Sequence, residues 1–424
     1  MNFDFASLLR QYSDKNVIDK FKVVLTKKAV SSFLINPNVI TAETIEKDLT
    51  PLTKDPQDPL LFRYDREALP LGKSLLHAGG AFYILDPSSA AISYYLKDLV
   101  AKDPLVLDMA AAPGGKSIAF SFRRPDSLIV ANDLSYSRAL EIAKNTDRLG
   151  LTNILSLSLD LQALRVASCF DLVILDAPCS GSGMIRKDEA MAADWSPEKV
   201  SRLLPVQEAL LEKGYSLLKK GGILAYSTCS LSVEEDENQI TAFLKRHPQA
   251  EEIKIKVPDT IITGKAGYHL IPGVYDGEGI YFAFIRKNEG SPYVAHEIKY
   301  EASPVPGLHA FRYRKNLFFL SRMVGELSNL PYLVPGIKQL DDSDHPKCLY
   351  DHAYSKVSPE IPLLELSKEE ALLYESGQEL SVSSSLADGL VILTYQSLRL
   401  GFGKKLGKKV KNYLPKGLRQ NLVM

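Results

Sequence analysis

Phe170 to Gly181 reads Phe-Asp-Leu-Val-Ile-Leu-Asp-Ala-Pro-Cys-Ser-Gly, and few folds can accommodate such a stretch. Leu172 to Leu175 is a continuous apolar run of the kind a strand buried on both faces requires, with cover above and below it. The run stops on an acid (Asp176), a ring-constrained Pro178, a thiol (Cys179) and a Ser-Gly turn. In open α/β sheets the carboxyl ends of the strands are where ligands bind. This strand therefore delivers side chains to a site as well as filling a core.

Neighbouring segments repeat the pattern. Leu105–Asp108, Leu128–Asp133 and Ile154–Asp160 read as strands before it, and Ile223–Thr228 and Gly279–Ile285 as strands after it. Helices fall between them at Ser89–Leu96, Lys116–Phe122 and Ser135–Leu149. A further helix starts on Ser196-Pro197-Glu198, with cap, proline and acid in order, and ends at Gly221-Gly222. Ser232 and Glu235 have capping-box spacing and predict another helix start. The alternation predicts an α/β domain with a mostly parallel sheet. At 424 residues the chain exceeds a single core. Residues 1–76 form a small N-terminal α+β domain, with Thr41 capping a helix; its early lysines fit a solvated face or an RNA contact equally well. Residues 77–289 carry the alternation, which breaks at Asn288-Glu-Gly-Ser-Pro292. Residues 290–365 and 366–424 follow as two C-terminal domains.

Asp108, Asp133, Asp160 and Asp176 each close a predicted strand, which places four acids along one rim. After Asp108 comes Met-Ala110-Ala111-Ala112-Pro113-Gly114-Gly115-Lys116-Ser117, a small-residue turn that a ligand can approach closely. The same turn loosely satisfies the phosphate-cradling loop. Electrostatics decides against phosphate: three further acids share the rim with Asp108, and Pro113 removes an amide donor. The Gly-x-Gly-x-x-Gly of dinucleotide sites is absent after the first strand. S-adenosylmethionine, with its sulfonium, ammonium, ribose and adenine, suits the acids better. Asp108 would lie near the ammonium, Asp133 would accept from the ribose hydroxyls, and Asp160 would lie near the adenine amino group.

Cys179 follows the fourth strand and Cys229, in Ser-Thr-Cys-Ser, the fifth, so both thiols are expected at the same edge. Free cysteines often pack as small hydrophobes, which is the reading for Cys169 and Cys348. Two thiols beside a methyl donor have a chemical use instead. The C5 carbon of cytosine is a poor nucleophile until a thiolate adds at C6, breaks the aromaticity and makes C5 enamine-like. An unperturbed cysteine titrates near ~8.5, so the thiolate needs help. A helix start at Ser232 would lower the Cys229 value, and Glu234 to Glu237 would raise it.

The motifs Asp-Met-Ala-Ala-Ala-Pro-Gly-Gly-Lys-Ser, Asp-Ala-Pro-Cys-Ser-Gly-Ser-Gly, Arg186-Lys187-Asp188 with Trp195-Ser196, and Tyr-Ser-Thr-Cys-Ser occur in that order. Over residues 78 to 287 the chain resembles the Nop/Sun family of RNA cytosine-5 methyltransferases. Leu-Gly-Phe-Gly-Lys-Lys through Asn-Tyr-Leu-Pro-Lys-Gly-Leu-Arg is similar to the end of the bacterial RsmF-like ribosomal RNA branch. The resemblance implies a Rossmann-like S-adenosylmethionine-dependent methyltransferase core with a PUA-like C-terminal RNA-binding region. It further implies that Ala110 to Lys116, Asp133, Asp160 and Asp176 contact or adjoin the cofactor. Cys229 would then be the nucleophile, Cys179 would assist product release, and Asp176 would meet the N3 or amino edge of cytosine. Lys116 joins Cys229, Cys179 and Asp176 in the catalytic set. The family's Tyr-Ile-Gln is replaced here by Tyr83-Ile84-Leu85.

The 51 basic and 51 acidic residues cancel, but no acid follows Asp388 while eight lysines and arginines do. Interleaved with Phe402 and Tyr413, they fit phosphate contact plus base stacking, and no metal is implied. The expected partner is RNA, small-subunit ribosomal RNA first and tRNA as the alternative, for a monomer in the cytoplasm. Four cysteines make no disulfide framework, and no apolar run reaches the ~20 residues of a membrane helix. An RNA-binding assembly factor that has lost catalysis is the remaining alternative, against which the intact Cys229, Cys179, Asp176 and Lys116 stand.

Overall fold

The computed structural model of the chain describes residues 15–186, 194–296, 298–339 and 351–422. Lys187, Asp188 and Cys348 lie outside the described residues. The chain forms two compact units. The first comprises Met1–Ser32, Leu85–Ala139 and Ser158–Ala295, the second Phe33–Ile84, Leu140–Leu157 and His296–Met424.

In the first unit, α1 (Pro87–Leu96) starts on Asp86, whose side chain accepts from the Ser88 amide with Pro87 at the first position. It leads into β1 (Leu105–Asp108), α2 (Gly115–Arg123), β2 (Leu128–Asn132), the first turn of α3 (Tyr136–Leu149) and β3 (Phe170–Asp176). Then come α4 (Pro197–Leu217), β4 (Leu218–Thr228), α5 (Glu237–Arg246) and β5 (Ile280–Lys287). The side-by-side order is β5-β4-β3-β1-β2, with β4, β3, β1 and β2 parallel and β5 antiparallel, beyond which the short antiparallel strands Tyr268–Leu270 and Ile262–Thr263 continue the sheet. Every residue of β1 and β2 is buried, as a doubly covered sheet demands. The chain moves from β1 to β2 on one side and returns to β3 on the other. That reversal opens a crevice above the carboxyl ends of β1 and β3, where such sheets take ligands.

Three predicted boundaries move: the strand predicted over Ile154–Asp160 stops at Leu157, and two helix ends shift. The helix begun by Ser196, whose hydroxyl accepts from the Lys199 amide, ends at Leu217, and the chain is extended from Leu218. Gly221 turns within the extended segment, at φ +82°, and stops no helix. Ser232 caps nothing: α5 begins at Glu237, and residues 233–236 are turns. The Ser232 hydroxyl donates to Glu234, while Glu235 points elsewhere.

The second unit holds a four-stranded sheet around Phe33, Phe62 and Phe82, against which the Thr41-capped helix Ala42–Asp48 packs through Ile45. Its C-terminal part is a five-stranded sheet in the order Leu363–Glu365, Gly389–Tyr395, Leu398–Leu406, Lys409–Asn412, Leu380–Ser381. The helix Lys368–Glu375, closed by a Ser367/Glu370 capping box, contributes Tyr374 to the core beneath. Phe402 lies in a buried cluster at 2% exposure, so it has no face to offer a base; Tyr413 is half-buried. Among the described residues no helix is long and apolar enough to cross a membrane.

Candidate active site

The turn after β1 is held from three sides. The Met109 amide donates to the Ile174 carbonyl of β3 at 2.9 Å, and the Ala111 amide to the Asn132 carbonyl of β2 at 2.7 Å. Arg138 of α3 donates to the Ala112 carbonyl at 3.0 Å. Gly114 precedes α2 at φ +109°, a conformation that Cβ-bearing residues rarely adopt. Ala110, Ala112, Gly115 and Lys116 are half-exposed and Pro113 is exposed, whereas Ala111 and Gly114 are buried. Asn132 was missed in the sequence. Its side chain donates to the carbonyls of Met109 (3.2 Å) and Leu159 (3.1 Å) and accepts from the Leu159 amide, tying the turn to the segment that carries Asp160. The available signal was a polar residue at the close of an otherwise apolar strand.

The four acids differ sharply in exposure. Asp160 is exposed, caps the short helix Leu161–Ala163 and accepts from the Gln162 amide. Asp133 is buried and accepts from the Ser135 amide, with the Arg138 guanidinium 3.4 Å away. Asp108 has no exposed surface; it lies beneath the turn and accepts from the Ser117 hydroxyl at 2.6 Å. Burial pushes its carboxyl up to about 7, against the pull of Ser117 and Lys116. Through Oδ2 Asp108 braces the first turn of α2.

Asp176 is the acid that reaches the crevice, with its side chain 39% exposed and Lys116 Nζ 2.6 Å from Oδ2. Its other oxygen accepts from Ser227 Oγ at 2.9 Å. Burial alone would depress the Lys116 ammonium, but Asp176, Asp108 and Cys229 outweigh it and hold the proton on. The two thiols meet at the same edge, with Cys179 Sγ 3.1 Å from Cys229 Sγ, both partly accessible. Cys229 is held below the ordinary thiol range, chiefly by its hydrogen bond with Cys179; the Lys116 ammonium helps, while burial and Asp176 oppose. Cys179 is pushed well up by the same bond, by burial and by the charges of Cys229, Glu235 and Asp176. The helix start invoked for Cys229 falls at Glu237 and not at Ser232. Asp236, next to it, is driven well up by burial and so resists ionising; its Oδ1 accepts from Thr228. Cys169 is fully buried in the core. Arg186 forms a buried ion pair with Glu278 at 2.7 Å, and Trp195 lies just before α4.

Oδ1 of Asp108 and Oδ2 of Asp133 are buried and accept no hydrogen bond from the described residues, Oδ2 of Asp133 facing the Arg138 guanidinium at 3.4 Å. The open Asp108 acceptor near a small-residue turn, with an exposed Asp160 and a partly exposed Asp176, fits a ligand bearing hydroxyl, amino and cationic groups, and disfavours phosphate. No cluster of metal-ligating side chains occurs among the described residues. The doubly wound sheet and this edge define a Rossmann-like methyltransferase core whose cofactor is S-adenosylmethionine.

Comparison with known proteins agrees. The family description 16S rRNA methyltransferase RsmB/F matches residues 96–286, and the methyltransferase RsmF PUA domain matches residues 362–420. The ribosomal RNA small subunit methyltransferase F of Shewanella woodyi is 30% identical over 84% of this chain and 82% of its own length. That of Shewanella oneidensis is 28% identical over 100% of this chain and 98% of its own. A methyltransferase homologue from Pyrococcus horikoshii superimposes with a TM-score of 0.56 at 28% identity, covering 66% of this chain and 93% of that one. The chain belongs to the ribosomal RNA small subunit methyltransferase F family.

Proposed function

We propose that this protein methylates C5 of cytosine in small-subunit ribosomal RNA through a covalent bond between Cys229 and C6. The reading rests on one observation: two thiols 3.1 Å apart beside the Lys116–Asp176 pair. Bound S-adenosylmethionine supplies an electrophilic methyl group. Ala110 to Lys116 with Asp133, Asp160 and Asp176 would hold it. The Cys229 thiolate adds to C6, the C5–C6 double bond opens, and C5 becomes the nucleophile that takes the methyl. Asp176 accepts from the cytosine amino group and steadies the adduct. Once Cys229 is bonded to carbon its negative charge is gone, and Cys179 loses the main reason to keep its proton. Cys179 gives that proton to solvent water at the partly accessible edge and, as a thiolate, takes the C5 proton; the double bond re-forms and Cys229 leaves as thiolate. The target base must be unpaired or flipped out to reach the sulfur.

The test is transfer of tritiated methyl from S-adenosylmethionine into unmodified small-subunit ribosomal RNA or subunits. Cys229→Ala is expected to abolish transfer. Cys179→Ala is expected to accumulate a protein–RNA adduct that migrates slowly on a denaturing gel. An adduct lost in Cys179→Ala and kept in Cys229→Ala overturns the roles. Transfer into tRNA alone overturns the substrate, and binding without transfer leaves an assembly factor.

A further inference from the structure

The Glu235 side chain has no exposed surface and no part in the chemistry above, yet it gathers four donors. Oε2 accepts from the hydroxyls of Ser180 (2.5 Å) and Ser230 (2.6 Å). Oε1 accepts from the Ser180 amide (2.8 Å) and from Gln207 Nε2 of α4 (3.0 Å). Ser180 follows Cys179 and Ser230 follows Cys229, so one carboxylate grips the residue next to each thiol. Gln207 completes the grip, since its amide also donates to the Pro178 carbonyl at 2.9 Å. The Glu235 carbonyl is itself fixed by the Tyr226 hydroxyl at 2.6 Å. None of the four donors carries a charge. Apolar side chains would join two loops with less desolvation than a buried carboxylate without a cation.

We propose that Glu235 is the positioning residue of the thiol pair, clamping the Cys179 and Cys229 loops together and setting which sulfur holds the proton. The inference rests on the reading of that pair as the reactive one. The physical account has two parts. The shared carboxylate sets the distance between the loops and so aligns the Cys179 S–H with Cys229. Its charge, close to Cys179, opposes ionisation there. With Cys179 kept as donor, Cys229 is the sulfur that can be anionic.

The experiment is alkylation of the full-length chain with iodoacetamide across the neutral and alkaline range, with each cysteine followed by peptide mass spectrometry. In the wild type Cys229 is expected to react first, at a pH below that of an ordinary thiol, with Cys179 resistant. Glu235→Gln puts an NH2 donor among donors and removes the charge. The Cys229 profile should move up by about one pH unit, a rate about tenfold lower at neutral pH. The Cys179 profile should move down. Ser230→Ala removes one donor and should shift both profiles the same way by less, which keeps the test open should Glu235→Gln fail to fold. A lowered melting temperature with both profiles unmoved, while the wild type stays selective, overturns the clamp alone. Equal or inverted reactivity in the wild type overturns Cys229 as nucleophile and the clamp with it.

Discussion

At the scale of one residue, Asp108 separates what a strand end implies from what the fold does with it. Its place after Leu105-Val-Leu was plain in the sequence. Whether it would look up into the crevice or lie beneath the turn was not, because both follow from the same alternation. The structure buries it, and burial raises its carboxyl to about 7. The folded protein therefore holds this proton more tightly than the unfolded chain, where an aspartate titrates near ~3.9. Stabilisation from the group is complete below about pH 4 and is lost as pH rises through about 7. Asp108→Asn keeps an acceptor for Ser117 and removes the charge. Its melting temperature relative to wild type should climb between about pH 4 and about pH 7 and stay level beyond. Scanning calorimetry checks this, and a difference that does not vary with pH would show that folding leaves the carboxyl at its unfolded value.

At the scale of elements, the strands and the order of the loops were legible because burial on both faces leaves long apolar runs ending on acids. The cysteine loops were legible as motifs but not as a linked structure. Ser232 and Glu235 have the spacing of a helix start, yet Glu235 turns back to Ser180, fifty-five residues earlier in the chain. Local spacing carries no trace of such a partner. Gly183 of Ser180-Gly181-Ser182-Gly183 has a similarly distant explanation. A Cβ on Gly183 would stand 2.3 Å from the Gly279 carbonyl oxygen and 2.9 Å from that of Cys229. The Gly183 amide donates to Cys229, and the Gly279 amide donates to Gly183, each at 2.9 Å. No rotamer relieves a clash between backbones, so the loops must part. Gly183→Ala should destabilise the first unit by roughly 2–3 kcal/mol. Because the loop that parts carries Cys229, adduct yield should fall further than the loss of folded protein explains. Urea unfolding together with the gel assay tests both halves, and full adduct formation by a destabilised variant would free the thiols from dependence on this contact.

At the scale of the whole molecule, a formal net charge of +0 hides a charged surface near the end of the chain. The sequence showed that acids stop at Asp388; it did not show which lysines would face outward. Lys405 points inward, 4% exposed, with its ammonium 3.4 Å from Asp388. Lys404, Lys409 and Lys411 are exposed on the antiparallel strands Leu398–Leu406 and Lys409–Asn412, and Lys404 lies directly opposite Lys411. Like charges opposed across two strands repel and cost stability. An RNA phosphate set over that pair relieves the repulsion and releases counterions. Replacing Lys404 and Lys411 together with Gln should therefore move two measurements in opposite directions. The melting temperature at low salt should rise slightly, as the repulsion goes. RNA affinity should fall, and the slope of log affinity against log salt should become shallower by roughly 1.4–1.8, the loss of about two phosphate contacts. Filter binding of ribosomal RNA over a salt series, beside a melt of the same protein, decides the matter. An unchanged slope with a raised melting temperature would mean that this face never meets the phosphates and that RNA lies against other cations of the molecule.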